Sequence, residues 1–462
     1  MILYSKKLEI SASYDVVVAG SGPSGICAAV AAARQGMSVA LVERYGVLGG
    51  DLTIASVGPM MGSVAKGTMR DELAGRIRVA GNNMQATNGF VHDIEQAKRI
   101  FAEFLDEAGV TVYLQTYISD VIKDGNTVTG LVISERSGMS VILSKRVIDA
   151  TGDGDVSVFA GADWEMGRES DSKTQPVTLM YLLSNVDERT ALKCFGEEDN
   201  VQLNGERFLD FTARCCKLGK LPVNCASVRL YPTLYPGERL VNTTQANGIN
   251  PLSSKDIIKA EIELRRQINA VTDFLRKNVP GYENCVIKST ANTLGVRESR
   301  RIMGEYQLCL DDLRAGKRFD DVVVHKANFT VDIHNPDGSG QANGLAEVVK
   351  AYDIPYRCLI PLKVDNLVVT GRCISSTHEA LASFRISTVC MALGEAAGIA
   401  AAVLGICPAP QRIFPVTAPD SLGIRTHQYL FVPAFQFFSA AAIQQFIIFP
   451  TLSDPHGQPS TD

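Results

Sequence analysis

The chain carries 11 cysteines in 462 residues but no C-x-x-C pair. They are scattered as Cys27, Cys194, Cys215, Cys216, Cys225, Cys285, Cys309, Cys358, Cys373, Cys390 and Cys407. That absence excludes the usual spacing of zinc and iron–sulfur ligands, so no metal ligand is assigned. Long like-charge blocks are missing too: 45 Lys and Arg against 50 Asp and Glu leave a net charge of −5, spread along the chain. Such a distribution asks for neither nucleic acid nor an anionic membrane. The opening MILYSKKLEISASYD lacks an apolar core ahead of a small-residue cleavage site, so no secretory signal is expected. The thiols then read as reduced, mostly buried groups of a cytoplasmic protein. The length suggests two domains.

What is present concentrates first in residues 14–44. DVVVAG sets four apolar residues, Val16 to Ala19, ahead of Gly20, the pattern of a parallel strand buried on both faces. Gly20, Gly22 and Gly25, with Pro23 and Ser24 between the last two, follow at G-x-G-x-x-G spacing. This spacing suits a tight turn, a backbone brought close to a pyrophosphate, and a helix packed on the strand. An alanine-rich helix over about 24–35 is expected, stopping at Gly36, with its N-terminal amides facing the phosphates. SVALVE reads as a second strand, and Glu43 at its tip, followed by Arg44, can accept hydrogen bonds from ribose hydroxyls. An acid there disfavours a 2′-phosphate, so the ligand is a dinucleotide other than NADP.

The continuation differs from the repeated βαβ units of an NAD dehydrogenase. A glycine-rich turn with Gly49 and Gly50 comes next, then residues 61–89 with no strong strand signal. Helical pattern resumes near DIEQAKRIFAEFLDEAG, and VTVYLQTYISDVIKDGNTVTGLVI reads as strand, strand, a turn at Asp124–Asn126, and strand. A buried strand over 146–150 ends in Ala150-Thr151-Gly152, and NLVVTG is a late strand ending at Gly371 and followed by Arg372. A long helix is expected over about 384–404, with Gly394 and Gly398 allowing close approach to a neighbour. No second strand–G-x-G-x-x-G–helix unit exists for a separate nicotinamide cofactor.

Together, GSGPSG, Glu43, Gly49-Gly50, Ala150-Thr151-Gly152 and VVTGRCISSTHEA resemble an FAD-dependent oxidoreductase whose FAD fold is similar to that of glutathione reductase. The nearer resemblance is to the flavoprotein family related to the flavin subunit of heterodisulfide reductase. LGVRESRRIMGEY (294–306), DIHNPDG (332–338) and YDIPYRCLIP (352–361) resemble its recurrent segments, and the likeness runs over about 10–408. It implies tightly bound FAD and redox chemistry with a small-molecule substrate and an unidentified electron acceptor. The positive end of the late helix would then stabilise negative charge on the reduced ring. Two departures stand out. No cysteine grouping could hold an iron–sulfur cluster, and Arg372 stands where flavin monooxygenases carry the aspartate of a Gly-Asp pair.

Candidates for chemistry are His378 in SSTHEALAS and His334 in DIHNPDG, since an imidazole can accept a hydroxyl proton as hydride leaves. Each could equally be a structural hydrogen-bonding group. Glu379 could orient a histidine or pair with an arginine. Arg297, with Arg300 and Arg301, forms a basic patch able to bind an anionic substrate or the pyrophosphate, or to pair internally with Glu298 and Glu305. Cys27 and Cys373 lack a nearby resolving cysteine in sequence, so a redox-thiol role is not favoured.

The expected fold is α/β: a discontinuous Rossmann-like FAD-binding domain from 10–50, 95–160 and 355–410, and a mixed α+β substrate or cap region from 51–94 and 161–354. A helix over 254–278, capped by Ser254, should bury Ile257, Ile258, Ile262, Ile268 and Val271. The atypical aromatic-rich tail, 411–462, is broken by Pro433 and Pro450, so a membrane-spanning helix is not expected there. The expected activity is that of a soluble FAD-dependent oxidoreductase moving a hydride between substrate and FAD. The alternatives are a flavin-dependent monooxygenase or halogenase, or a flavoprotein with structural FAD.

Overall fold

In a computed structural model, described over residues 2, 5–81, 85–86, 89–194, 200–342 and 346–406, the apolar run Val16–Ala19 lies fully buried at the centre of a seven-stranded sheet. The strand is Glu9–Ala19; Val39–Val42 and Gly138–Asp149 flank it in parallel, Thr111–Tyr113 extends one side, and Leu367–Val369 pairs in parallel with the end of Gly138–Asp149. Tyr117–Asp124 and Thr127–Glu135 form the expected hairpin, antiparallel to the first half of Gly138–Asp149. The described residues fall within one compact unit, Met1–Gln411, and the tail lies outside them.

Helix Pro23–Arg34 covers this sheet, and helix Ser387–Ile406 lies along it. An added Cβ on Gly394 would fall 2.0 Å from the Ser24 carbonyl oxygen, and one on Gly398 2.2 Å from that of Ala28. These two contacts carry the same offset, so the helices run in the same direction. Ser387 therefore projects about six residues, or about 9 Å, past the start of Pro23–Arg34.

A second, antiparallel sheet orders Arg229–Pro232, Arg239–Asn242, Tyr181–Ser184 and Val286–Thr290. Helices Phe208–Lys217 and Ser254–Asn278 pack on it around Tyr181, Phe208, Leu264 and Val271.

Two expectations need correction. Ser253, not Ser254, caps the long helix, its hydroxyl accepting from Asp256 N at 3.3 Å. Ile258 and Ile262 are exposed (55% and 47%), because the buried stripe runs through Ala260, Leu264, Ile268, Val271 and Leu275. At 3.6 residues per turn both isoleucines sit about 120° or more from the middle of that stripe.

The segment without strand signal contains a helix, Met69–Gly81, whose first amide is held by the remote Glu395 carboxylate at 2.8 Å. The late helix is Ser387–Ile406, close to its expected bounds, and a separate short helix precedes it. His378–Phe384 starts at the Thr377 cap, Arg385 and Ile386 interrupt, and the axis turns by 94°. No single described helix is long and apolar enough to cross a membrane; that bent pair passes only by length and composition.

Candidate functional site

Four strands of one parallel array deliver their carboxyl ends to the same edge. Gly20 follows Ala19, Glu43 follows Val42, Ala150-Thr151-Gly152 follows Asp149, and Gly371 comes two residues after Val369. In an open α/β sheet that edge is where a dinucleotide binds. The segments interlock. A Cβ on Gly25 would meet the Gly20 carbonyl oxygen at 1.9 Å, and one on Gly50 would meet Gly22 Cα at 2.9 Å. Gly49 N donates to Ser21 O at 2.9 Å, and the Ser24 and Thr370 hydroxyls share a 2.7 Å bond.

The first turn of Pro23–Arg34 carries no acidic residue, and Gly22 at its N-cap has no side chain to occupy the free amides. Arg372 lies against Gly152, so that a Cβ there would come 2.5 Å from its Nη2. Its Nη1 is buried without a partner, and Asp153 stands 3.4 Å from Nη2. Uncapped amides and an orphaned guanidinium nitrogen fit the phosphates of a dinucleotide. The projecting N-terminus of Ser387–Ile406 overhangs the same edge.

Glu43 is 5% exposed and accepts from Ser21 N (2.8 Å), Ser21 Oγ (2.6 Å) and Tyr45 N (2.8 Å). Arg44 stands 3.7 Å from Asp153 and 3.9 Å from Asp155 and stacks on Tyr45. Burial, then the charges of Asp153 and Asp149, push the Asp155 carboxyl up to about 6. Asp149, fully buried, was not anticipated. It accepts from Thr151 and Ser157 and holds the turn after the strand.

His378 is buried, with Nδ1 2.9 and 2.8 Å from the two oxygens of Glu298. A carboxylate only accepts, so Nδ1 carries a proton, and in the neutral ring Nε2 is the nitrogen with the lone pair. Among the described residues Nε2 has no hydrogen-bond partner, and it is not fully buried, so it reaches accessible space. Glu298 has a 0% exposed side chain and also takes Arg301 Nη1 at 2.5 Å and Gln175 N at 3.0 Å. Glu298, and not Glu379, orients the histidine.

The basic patch does not act as a unit. Arg300 donates to the Asp153 carbonyl and to Asp155; Arg301 serves Glu298, Gly167 O and Ser376 O. Among the described residues Arg297 donates only to Pro176 O, at 2.8 Å. His334 sits apart from His378, its Nε2 3.3 Å from Asp332 Oδ2 and its backbone N 3.2 Å from Gln175 Oε1. Burial, then the Arg297 charge, lower its imidazole to about 3, so it stays neutral and is a poor base.

Burial pushes the thiols of Cys27 and Cys373 well above their ordinary range, and neither is in a disulfide. Among the described residues no group of His, Cys, Asp or Glu could hold a metal ion. Glu298, Gln175, Asp332 and Arg385 were not anticipated as one constellation. Only the three-residue spacing of Glu298 and Arg301 could have signalled part of it.

The profile of the FAD dependent oxidoreductase family matches residues 15–405. Digeranylgeranylglycerophospholipid reductase 1 of Methanococcoides burtonii is 29% identical over 189 residues, 38% of this chain and 45% of that protein. Thiamine thiazole synthase of Pyrobaculum aerophilum is 31% identical over 159 residues, 32% of this chain and 59% of that protein. The chain thus spans about half the length of the curated relatives it matches. Among solved structures, a geranylgeranyl bacteriochlorophyll reductase-like protein of Thermoplasma acidophilum aligns with 16% identity over 85% of this chain and 78% of that one, at a TM-score of 0.43.

Proposed function

The chain belongs to the FAD dependent oxidoreductase family, and from that premise we propose a hydride-transfer enzyme in which His378 handles the proton that accompanies the hydride. FAD is its cofactor. In this reading the free amides of helix Pro23–Arg34 and Arg372 hold the pyrophosphate, and Glu43 holds the adenosine ribose through its remaining acceptor capacity. Arg44, Gly49-Gly50, Ala150-Thr151-Gly152 and Gly371 wall the cofactor. Bound FAD supplies two-electron chemistry, taking up or giving back a hydride.

The chain's own part is proton management. His378 Nε2 accepts a hydroxyl or amine proton from a small-molecule substrate, or returns one in the reductive direction. Glu298 fixes the tautomer and stabilises the imidazolium that results. Arg301 balances Glu298 and keeps it from turning toward the substrate. The observation that carries this reading is the sealed Glu298–His378 pair with an accessible Nε2.

We extend the proposal to a glutathione-reductase-like FAD fold, kinship with the flavin subunit of heterodisulfide reductase, and a soluble, cytoplasmic protein. We also keep the division into an FAD domain and a cap built around the second sheet.

The test is anaerobic bleaching of the flavin by a panel of hydroxy acids, polyols, sugars and amines. His378→Ala should slow reduction about 100-fold or more while FAD stays bound. Reduction at the unmodified rate would remove His378 from the mechanism.

A further inference from the structure

The proton-handling pair is joined to a second charged cluster that the steps above leave unused. His378 binds Glu298; the other Glu298 oxygen takes Gln175 N at 3.0 Å; and Gln175 Oε1 takes His334 N at 3.2 Å. His334 Nε2 lies 3.3 Å from Asp332 Oδ2, which takes Arg385 Nη2 at 2.9 Å. Arg385 caps the end of the short helix that His378 begins, so the network closes into a ring. Arg229 and Arg297 act on the same Asp332 and His334 charges.

Within this ring the hydrogen-bonding capacity is unevenly met. Arg297 is part-buried and, among the described residues, has no carboxylate within ion-pair distance. Its single bond goes to a backbone carbonyl, and its Nε and Nη2 are neither paired nor sealed, so they face accessible space. Gln175 is 1% exposed, and its Nε2 is sealed without a partner; Arg385 Nε is in the same condition. Four residues after Arg297, Arg301 has three acceptors for its three nitrogens. An internal ion network satisfies its members, as Arg301 shows. The ring around Arg297 is short of an acceptor.

Electrostatics agree. Loss of hydration, then the Arg385 charge, bring the Arg297 guanidinium down to about 9. Burial disfavours ionised Asp332, but contact with His334 and the charges of Arg385 and Arg229 outweigh it and hold Asp332 well below the usual carboxylate range. Around Asp332 the cluster thus sets Arg229, Arg297 and Arg385 against one carboxylate, an excess of positive charge. That excess suits an added anionic group.

We propose that Arg297, with the Arg385 charge beside it, binds a carboxylate of the substrate and holds the reacting carbon beside His378. A guanidinium fork matches a carboxylate in a bidentate manner. The substrate class is therefore a small carboxylic acid bearing the oxidisable or reducible carbon. This deepens the hydride-transfer reading and rests on it for the location of the chemistry, though not for the binding itself.

The experiment is calorimetric titration of the FAD-loaded protein with butyrate, benzoate and cinnamate, each against its primary amide, and with phenyl phosphate. At least one carboxylate should bind about tenfold or more tightly than its amide. R297Q should weaken that carboxylate about 30-fold and leave the amide and the bound-flavin spectrum unchanged. R297K, which keeps the charge but loses the fork, should fall between. Three results would overturn the proposal: equal affinity for acid and amide, carboxylate affinity unmoved in R297Q, or phenyl phosphate binding more tightly than benzoate. Failure of the proton-handling reading is separable, because His378→Ala should leave the acid-over-amide preference intact.

Discussion

The contact of Gly394 with the dinucleotide loop allows a worked test of the fold and of the cofactor site together. A Cβ at position 394 would lie 2.0 Å from Ser24 O, 2.7 Å from Ser24 C and 2.8 Å from Ser24 Cα, where ordinary contact begins near 3.4 Å. Gly394→Ala must therefore part the two helices by about 1.4 Å locally, against backbone that cannot rotate away as a side chain would. The helices cannot simply pivot, because Gly398 is pressed on Ala28 one turn further on. Overpacking costs about 1–3 kcal/mol, and a backbone-to-backbone clash belongs at the upper end, about 3 kcal/mol. In a body of this size that lowers Tm by several degrees. Ser24 also bonds Thr370 and sits in the turn proposed to hold the phosphates, so its displacement should weaken FAD about tenfold or more, each factor of ten being about 1.4 kcal/mol.

Gly75, exposed inside helix Met69–Gly81, has nothing within 4 Å of a Cβ. Gly75→Ala should therefore stabilise by about 0.5–1 kcal/mol and leave FAD affinity alone. Thermal unfolding with and without FAD, and quenching of flavin fluorescence, measure both. A Gly394→Ala protein with the parent's Tm and FAD affinity would refute the packing argument, as would equal damage from Gly75→Ala.

Two further outcomes are expected. Glu298→Gln strips the counter-charge from Arg301, which is 4% exposed, and should cost about 3 kcal/mol, softened by its bonds to Gly167 and Ser376. It should also slow flavin reduction about 100-fold with FAD retained; parent rates in stopped-flow reduction would exclude Glu298 as the orienting group. Asp155 titrates near 6 when folded and near its ordinary 3.8 when unfolded. The folded state therefore holds the extra proton between those values, and stability should fall as pH rises from about 4 to about 6, then level off. Melting curves across that range should show the slope, and Asp155→Asn should flatten it; an equal slope in the variant would assign the dependence elsewhere.

Much of the strand-end architecture proposed to hold the cofactor was legible because its signals are local. Each of its segments lies within a few residues of a buried strand end, so an apolar run, a glycine spacing and a strand-tip acid mark it without knowledge of the rest of the chain. Where the deciding contact is remote, legibility failed. Helix Met69–Gly81 starts on Glu395, 326 positions away. The bend at Arg385 lets that arginine reach Asp332, 53 positions back, and no periodicity announces it. Ile258 and Ile262 show a different failure. Their hydrophobicity suggested burial, but the stripe that meets the second sheet is set by Leu264, Ile268 and Leu275.

The segment VRESRR shows why the chemistry was harder to read than the cofactor. Three arginines within five positions look alike in sequence and are used in three ways. Arg300 ties the segment to Asp153 and Asp155 at the dinucleotide edge, and Arg301 neutralises Glu298. Arg297 is left with one carbonyl. What separates Arg301 from Arg297 is the arrival of the Gly167 and Ser376 carbonyls, from 134 and 75 positions away, beside one guanidinium and not the other. Those carbonyls fix the buried pair that orients His378, and their absence at Arg297 leaves donors facing the accessible side of the same network. A guanidinium with its acceptors in place holds the protein together; one without them points to what the protein binds. The distinction belongs to the folded chain, and it makes Arg297, rather than the patch as a whole, the residue on which substrate recognition should depend.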